Sequence, residues 1–170
     1  MNYSIFSSPS LRKLSILLAA CCLFLAYPDK LTAQYKSALG VRLGLPNSVS
    51  YKQFIKAGQA VEVYVGTRSI YLNASLAYQV HKALKGTPID GLNWYAGAGI
   101  SMIVLNLGNG DVRFQDPFYS FQAYLGLDYA FEEIPVNLSI DWVPTVFRGN
   151  RSYNRIFWGT GNLSIRYILK

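Results

Sequence analysis

Thiols are nearly absent from this sequence: its two cysteines, Cys21 and Cys22, stand side by side near the start, and none follows. A chain cut beyond them can form no disulfide, no zinc–thiolate site and no thiol redox centre. Histidine is scarcer still. His81 is the single copy, which excludes any site built on several histidines while leaving room for a one-histidine triad. Charged residues make up 15% of the chain against 51% hydrophobic. No apolar run reaches the roughly 20 residues a membrane-spanning helix needs.

The longest such run, Leu14 to Tyr27, follows Arg12 and Lys13 and breaks at Pro28-Asp29-Lys30 before Leu31-Thr32-Ala33-Gln34. That is the layout of an export signal, and the small residue at Ala33 predicts cleavage there. The expected division is therefore a signal peptide over 1–33 and one domain over 34–170. Leu18-Ala19-Ala20-Cys21 offers a rival lipidation site, but Cys22-Leu23-Phe24-Leu25 stays apolar where an acylated chain normally turns polar. Cleavage removes Arg12, Lys13 and Lys30 together with Asp29, lowering the formal charge from +7 to +5. Such a modest charge disfavours nucleic acid as a partner.

Beyond Gln34 no long stretch has helical spacing, whereas alternation of apolar with polar or small residues recurs between Gly, Pro, Asn and Asp breaks. This pattern predicts an all-β domain. Eight strands are expected, at about 36–45, 48–56, 59–67, 69–81, 92–105, 118–131, 135–147 and 155–169. The sixth is the clearest: Tyr119, Phe121, Ala123, Leu125, Leu127, Tyr129 and Phe131 share one face, opposite Ser120, Gln122, Tyr124, Gly126, Asp128 and Ala130. Tilted by about 40°, Tyr119 to Phe131 projects to roughly 30 Å, matching the apolar band and flanking aromatic girdles of a membrane barrel. In the last strand Phe157, Gly159, Gly161, Leu163, Ile165, Tyr167 and Leu169 are expected outward, with Trp158, Thr160, Asn162, Ser164 and Arg166 inward.

Alternation alone does not say which face is inside, and a soluble lipocalin-like barrel with an apolar cavity shares it. Composition of the polar faces decides, since they are mostly Ser, Asn, Gln, Gly and Ala. Their few charges balance: Arg42, Lys52 and Arg166 against Glu62, Asp128 and Asp141. A closed eight-strand barrel has just enough interior for such side chains to fill and pair. The six are expected to form a lumen network that fixes register rather than performing chemistry. Closure sets Arg42 and Arg166 on neighbouring strands, with Asp141 expected as the acid that serves Arg166. Pro144, inside the seventh strand, predicts a bulge or bend there.

Taken together, Gly91-Leu92-Asn93-Trp94-Tyr95-Ala96-Gly97-Ala98-Gly99, Gly126-Leu127-Asp128-Tyr129, Ile134-Pro135 and Asp141-Trp142-Val143-Pro144 resemble the small outer-membrane β-barrel proteins of gliding and gut-type Gram-negative bacteria. The resemblance spans the whole of 34–170. It implies an eight-stranded antiparallel up-and-down transmembrane barrel, integral to the bacterial outer membrane, contacting its lipid and lipopolysaccharide and inserted by the barrel-assembly machinery. No shared activity comes with it. One departure is the end of the chain, Tyr167-Ile168-Leu169-Lys170, where such barrels usually finish on an aromatic residue.

With both termini on the periplasmic side, Glu132-Glu133-Ile134-Pro135 is an inner turn, while 106–117 and 148–154 are outer loops; the long inner link 82–91 is the misfit. Arg148, Arg151 and Arg155 around the last outer loop suit lipopolysaccharide phosphates as well as they suit plain solvation. Asp128 and Asp141 on adjacent strands fit the charge network better than a glycosidase acid/base pair. His81 fits the barrel rim or lumen better than a catalytic role, and Gly108-Asn109-Gly110 lacks the strand-to-helix setting of a phosphate loop. No cofactor and no enzymatic activity are expected. A structural or interaction role leads, with a small pore or transport component behind it and a lipid-modifying enzyme last.

Overall fold

The computed structural model describes residues 35–68, 71–106, 118–148 and 154–169. The expected signal peptide, the loop 107–117 and residues 149–153 lie outside them. Eight strands form, β1 (Ser37–Leu43), β2 (Asn47–Lys56), β3 (Gln59–Arg68), β4 (Tyr71–Ala83), β5 (Leu92–Asn106), β6 (Phe118–Ala130), β7 (Val136–Arg148) and β8 (Asn154–Leu169). Each pairs antiparallel with the next, and β8 returns to β1 to close a barrel with no free edge. Closure matters because an unpaired edge leaves a row of backbone donors and acceptors unsatisfied.

Strand bounds differ from expectation by a few residues at most. β1 stops at Leu43 because Gly44-Leu45-Pro46 makes the turn into β2, with the Gly44 amide donating to Asn47 Oδ1 at 3.1 Å. β4 runs on to Ala83, shortening the misfit link to 84–91, which still lies at the barrel end that carries Tyr35 and Leu169. We call this the near end, and the end with Leu45 and Pro46 the far end.

The alternation translates directly into facing. On β6, Tyr119, Phe121, Ala123, Leu125 and Leu127 are exposed, whereas Ser120, Tyr124, Asp128 and Ala130 are buried. Around the barrel Leu39, Val49, Val63, Leu76, Ile100, Ile140 and Ile165 are likewise exposed, while Lys52, Glu62, Asp128 and Arg166 have at most 1% of their surface exposed. This inverts the usual arrangement of a water-soluble fold, where large apolar side chains are buried and charged ones face outward.

Pro144 marks the main irregularity. It has no amide hydrogen to donate, and the β6–β7 ladder is interrupted opposite it, resuming in the same register on either side. Across the β7–β8 ladder, Val143 faces Thr160 but Thr145 faces Phe157, so β8 carries one extra residue at the bulge. Gly159 adopts φ +102° there, a conformation that favours glycine, and the Trp142 indole donates to the Trp158 carbonyl at 2.7 Å. One extra residue reverses the facing of everything beyond it. The expectation for Phe157 and Trp158 is thereby corrected: Phe157, paired with buried Thr145, turns to the inner side at the open far end, where it stays 43% exposed, and Trp158 is the one that stands outside, 76% exposed.

Candidate functional site

The interior of the barrel is the site, built in layers along its axis. At the near end an aromatic ladder fills the bore. Tyr35 meets Phe54 edge-on at 4.9 Å between centroids, Phe54 meets His81 at 4.9 Å, and His81 stacks on Tyr95 at 4.7 Å. Ala38, Ala130 and Ile168 pack against Tyr35 and Phe54.

Above the ladder lies an ionic cluster whose four charged residues come from four strands, β2, β3, β6 and β8. Lys52 reaches Asp128 at 3.2 Å and Glu62 at 3.9 Å, and its ammonium sits 4.7 Å from the centre of the Tyr95 ring. Arg166 is ion-paired to Glu62 through a short contact. It also donates to Ser50 at 2.9 Å, Ser139 at 2.7 Å and Asn137 at 3.3 Å. Gln79 donates to the second Glu62 oxygen at 2.7 Å, and Asn137 donates to Asp128 at 2.9 Å. Bonding of this density offsets the cost of stripping water from buried ions.

The third layer is a second, separate ion pair. Arg42 grips Asp141 with two nitrogens on two oxygens, at 2.7 and 2.6 Å. Tyr95 donates its hydroxyl to Asp141 at 2.5 Å and Asn162 donates to it at 3.0 Å. The Arg42 guanidinium lies 5.1 Å from the Tyr64 ring centre and 5.8 Å from that of Tyr124. The two phenol oxygens are 2.6 Å apart, so one donates to the other, and Gln122 Oε1, 2.8 and 2.7 Å from them, accepts from the remaining hydroxyl.

All six charged residues expected in the lumen are buried inside it, three cations with three anions, but their pairing differs from expectation. Arg42 stands opposite Ser164 and Gly40 opposite Arg166, so the two arginines are staggered by two residues along neighbouring strands. That stagger gives Asp141 to Arg42 and leaves Arg166 to reach across the bore to Glu62 on β3. Asp141 is thus not the partner of Arg166. Arg148 ends β7 and Arg155 is the second residue of β8, both at the far end, while Arg151 lies outside the described residues.

Sequence reading placed Tyr95 and Tyr124 on the polar faces without assigning them a task. The signal was available: a phenol in a row of Ser, Asn and Gly on an inward face must find a polar partner for its hydroxyl. Tyr95 links the layers, touching His81 and Lys52 with its ring and Asp141 with its hydroxyl. His81 accepts or donates one weak bond with Gln79 at 3.3 Å, and its Nδ1 is the one buried side-chain polar atom without a partner among the described residues. Among those residues no group of three or more His, Asp or Glu is arranged to hold a metal ion.

Beyond Arg42 the bore widens into a cavity of about 310 Å³ at the far end, lined by residues including Tyr64, Gln122, Thr145 and Phe157.

No protein-family model and no curated protein matches the chain. Two solved structures are similar in fold. The N-terminal β-barrel domain of Pseudomonas aeruginosa OprF superposes with a TM-score of 0.52 at 16% identity, covering 80% of this chain and 100% of that one. Neisserial surface protein A superposes with a TM-score of 0.50 at 14% identity, covering 78% and 93%. Both are small eight-stranded outer-membrane barrels, and at these identities the likeness is one of fold.

Proposed function

We propose that this chain is an integral outer-membrane barrel whose filled interior serves stability, leaving a structural or interaction role to its surface and far end. One observation carries the reading: among the described residues an outward belt rich in Leu, Val, Ile and aromatic side chains surrounds a buried, charge-balanced interior. Such a belt is costly in water and favourable in hydrocarbon, at about 25 cal/mol per Å² of apolar surface. A closed barrel is also the one strand arrangement that satisfies every backbone group in lipid. The shared fold with two outer-membrane barrels supports the same membrane.

In this reading the near end faces the periplasm, the belt contacts outer-membrane lipid, and the strand-end arginines Arg148 and Arg155, with Arg151, meet lipopolysaccharide phosphates. The layered bore argues against an open channel, since the aromatic ladder and both ion-pair layers lie across it. It argues equally for a non-enzymatic role: the Asp141 oxygens are committed to Arg42, Tyr95 and Asn162, and those of Asp128 to Lys52 and Asn137. Cell fractionation tests the location, with the protein expected in the outer-membrane fraction and resistant to carbonate extraction. Recovery in a soluble fraction would overturn it. Planar-bilayer recording tests the closed bore, with no steady unitary conductance expected.

A further inference from the structure

The far-end cavity has features the filled lumen does not explain. At its inner end Arg42 is the one charged residue of the described lining, and both of its terminal nitrogens are already held by Asp141, which stands behind it outside the lining. Its walls combine amide and hydroxyl groups, from Gln122, Asn162, Thr145 and Asn73, with the aromatic rings of Phe157 and Tyr64.

Two of the carboxamides are oriented by their own neighbours. Gln122 Oε1 is held by the hydrogen-bonded hydroxyl pair of Tyr64 and Tyr124, 2.8 and 2.7 Å away, and Asn73 Oδ1 accepts from Ser75 at 2.9 Å and from Ser101 at 2.8 Å. With both oxygens held in this way, each NH2 group is turned elsewhere, and both carboxamides line the cavity. The β8 bulge adds the third element. Without the extra residue Phe157 would face outward with its neighbours; with it, a large apolar ring is set into the polar far-end lining, opposite Thr145.

We propose that this cavity binds one neutral sugar residue. An aromatic face attracts the polarised C–H bonds on one side of a pyranose ring, and fixed amide donors suit hydroxyl oxygens. An anion is disfavoured because the terminal nitrogens of Arg42 are committed to Asp141 and would have to leave it to serve a ligand. A volume of about 310 Å³ stands at the small end of the roughly 300–1,000 Å³ range of ligand pockets, enough for a single sugar residue. The same chemistry is presented by a free saccharide and by the headgroup of a glycolipid. The site rests on the geometry of the bore and not on the membrane assignment.

The test uses the barrel folded in a phosphocholine detergent, which carries no sugar, and saturation-transfer NMR against glucose, galactose and N-acetylglucosamine. A parallel arm uses the octyl glycosides of these sugars, with octanol as the chain-only control. Saturable transfer to ring protons is expected for at least one sugar. Phe157→Ala should weaken it by about two- to tenfold, the range an aromatic contact supplies. Phe157→Trp should preserve it, and Ser120→Phe, which fills the cavity, should abolish it. Equal affinity for sugar and glycoside indicates a free saccharide, and tighter glycoside binding indicates a headgroup. Transfer confined to alkyl chains, absence of transfer to every sugar from the folded barrel, or binding indifferent to Phe157→Ala and Ser120→Phe overturns the proposal. None of these outcomes bears on fractionation.

Discussion

Arg42 and Asp141 face each other across β8, joined by two hydrogen bonds of 2.7 and 2.6 Å although their strands, β1 and β7, are not neighbours. The intervening strand takes part, with Asn162 bonded to Asp141 and Ser164 within 3.5 Å of Arg42. The pair therefore ties together the three strands at which the barrel closes.

Asp141→Ala leaves Arg42 buried without its counter-charge and should cost about 3–5 kcal/mol of folding stability, measured by urea titration of the barrel in lipid vesicles. Adding Arg42→Met should recover much of that loss, since replacing both members of a buried pair is often near neutral. The cycle of Asp141→Ala with Arg166→Met should instead be close to additive, because Arg166 belongs to Glu62. Strong coupling between Asp141 and Arg166 would contradict the observed pairing.

Tyr95 joins the two ion-pair layers, so its two functions can be separated. Tyr95→Phe keeps the ring against His81 and Lys52 and removes the hydroxyl from Asp141, a hydrogen bond to a charged group worth about 1.5–3 kcal/mol. Tyr95→Ala also removes the ring and should cost distinctly more, about 3–5 kcal/mol as for other buried aromatics. Equal losses for the two variants would mean the ring contributes nothing to joining the layers.

Gly159 should tolerate no side chain. Its φ of +102° is strained for any L-residue, and an added Cβ would approach Trp142 Nε1 to 2.6 Å and Pro144 N to 2.8 Å. Gly159→Ala should cost at least about 1–3 kcal/mol. Gly161→Ala, two residues along and with nothing within 4 Å of its added Cβ, should cost far less. Parallel thermal melts in detergent decide between them.

The strands were legible because alternation has a period of two and each inward row is poor in apolar side chains, as β6 shows from Tyr119 to Ala130. The inward set of charges was legible for the same reason. What sequence could not supply was stagger and phase. Arg42 and Arg166 sit two residues out of step because the tilt of a closed barrel shifts each strand along its neighbour, and this choice of partners depends on the whole circuit. The bulge opposite Pro144 was foreseeable from the proline, but not that the extra residue would fall on β8. That one residue exchanged the facing of Phe157 and Trp158 and created the aromatic wall of the far-end cavity.

The central claim, that the alternating face is lipid-bathed and the charged face is not, is tested most directly by a nitroxide scan of β6. Single cysteines from Ser120 to Leu127 would be spin-labelled in the segment beginning at Gln34, which has no cysteine of its own, and reconstituted in lipid vesicles. Oxygen, which partitions into hydrocarbon, should relax the labels with a period of two, most strongly at 121, 123, 125 and 127 and weakly at 120, 122, 124 and 126. A flat profile, the opposite phase, or labels at 121 and 125 reached mainly by a water-soluble relaxant would contradict it.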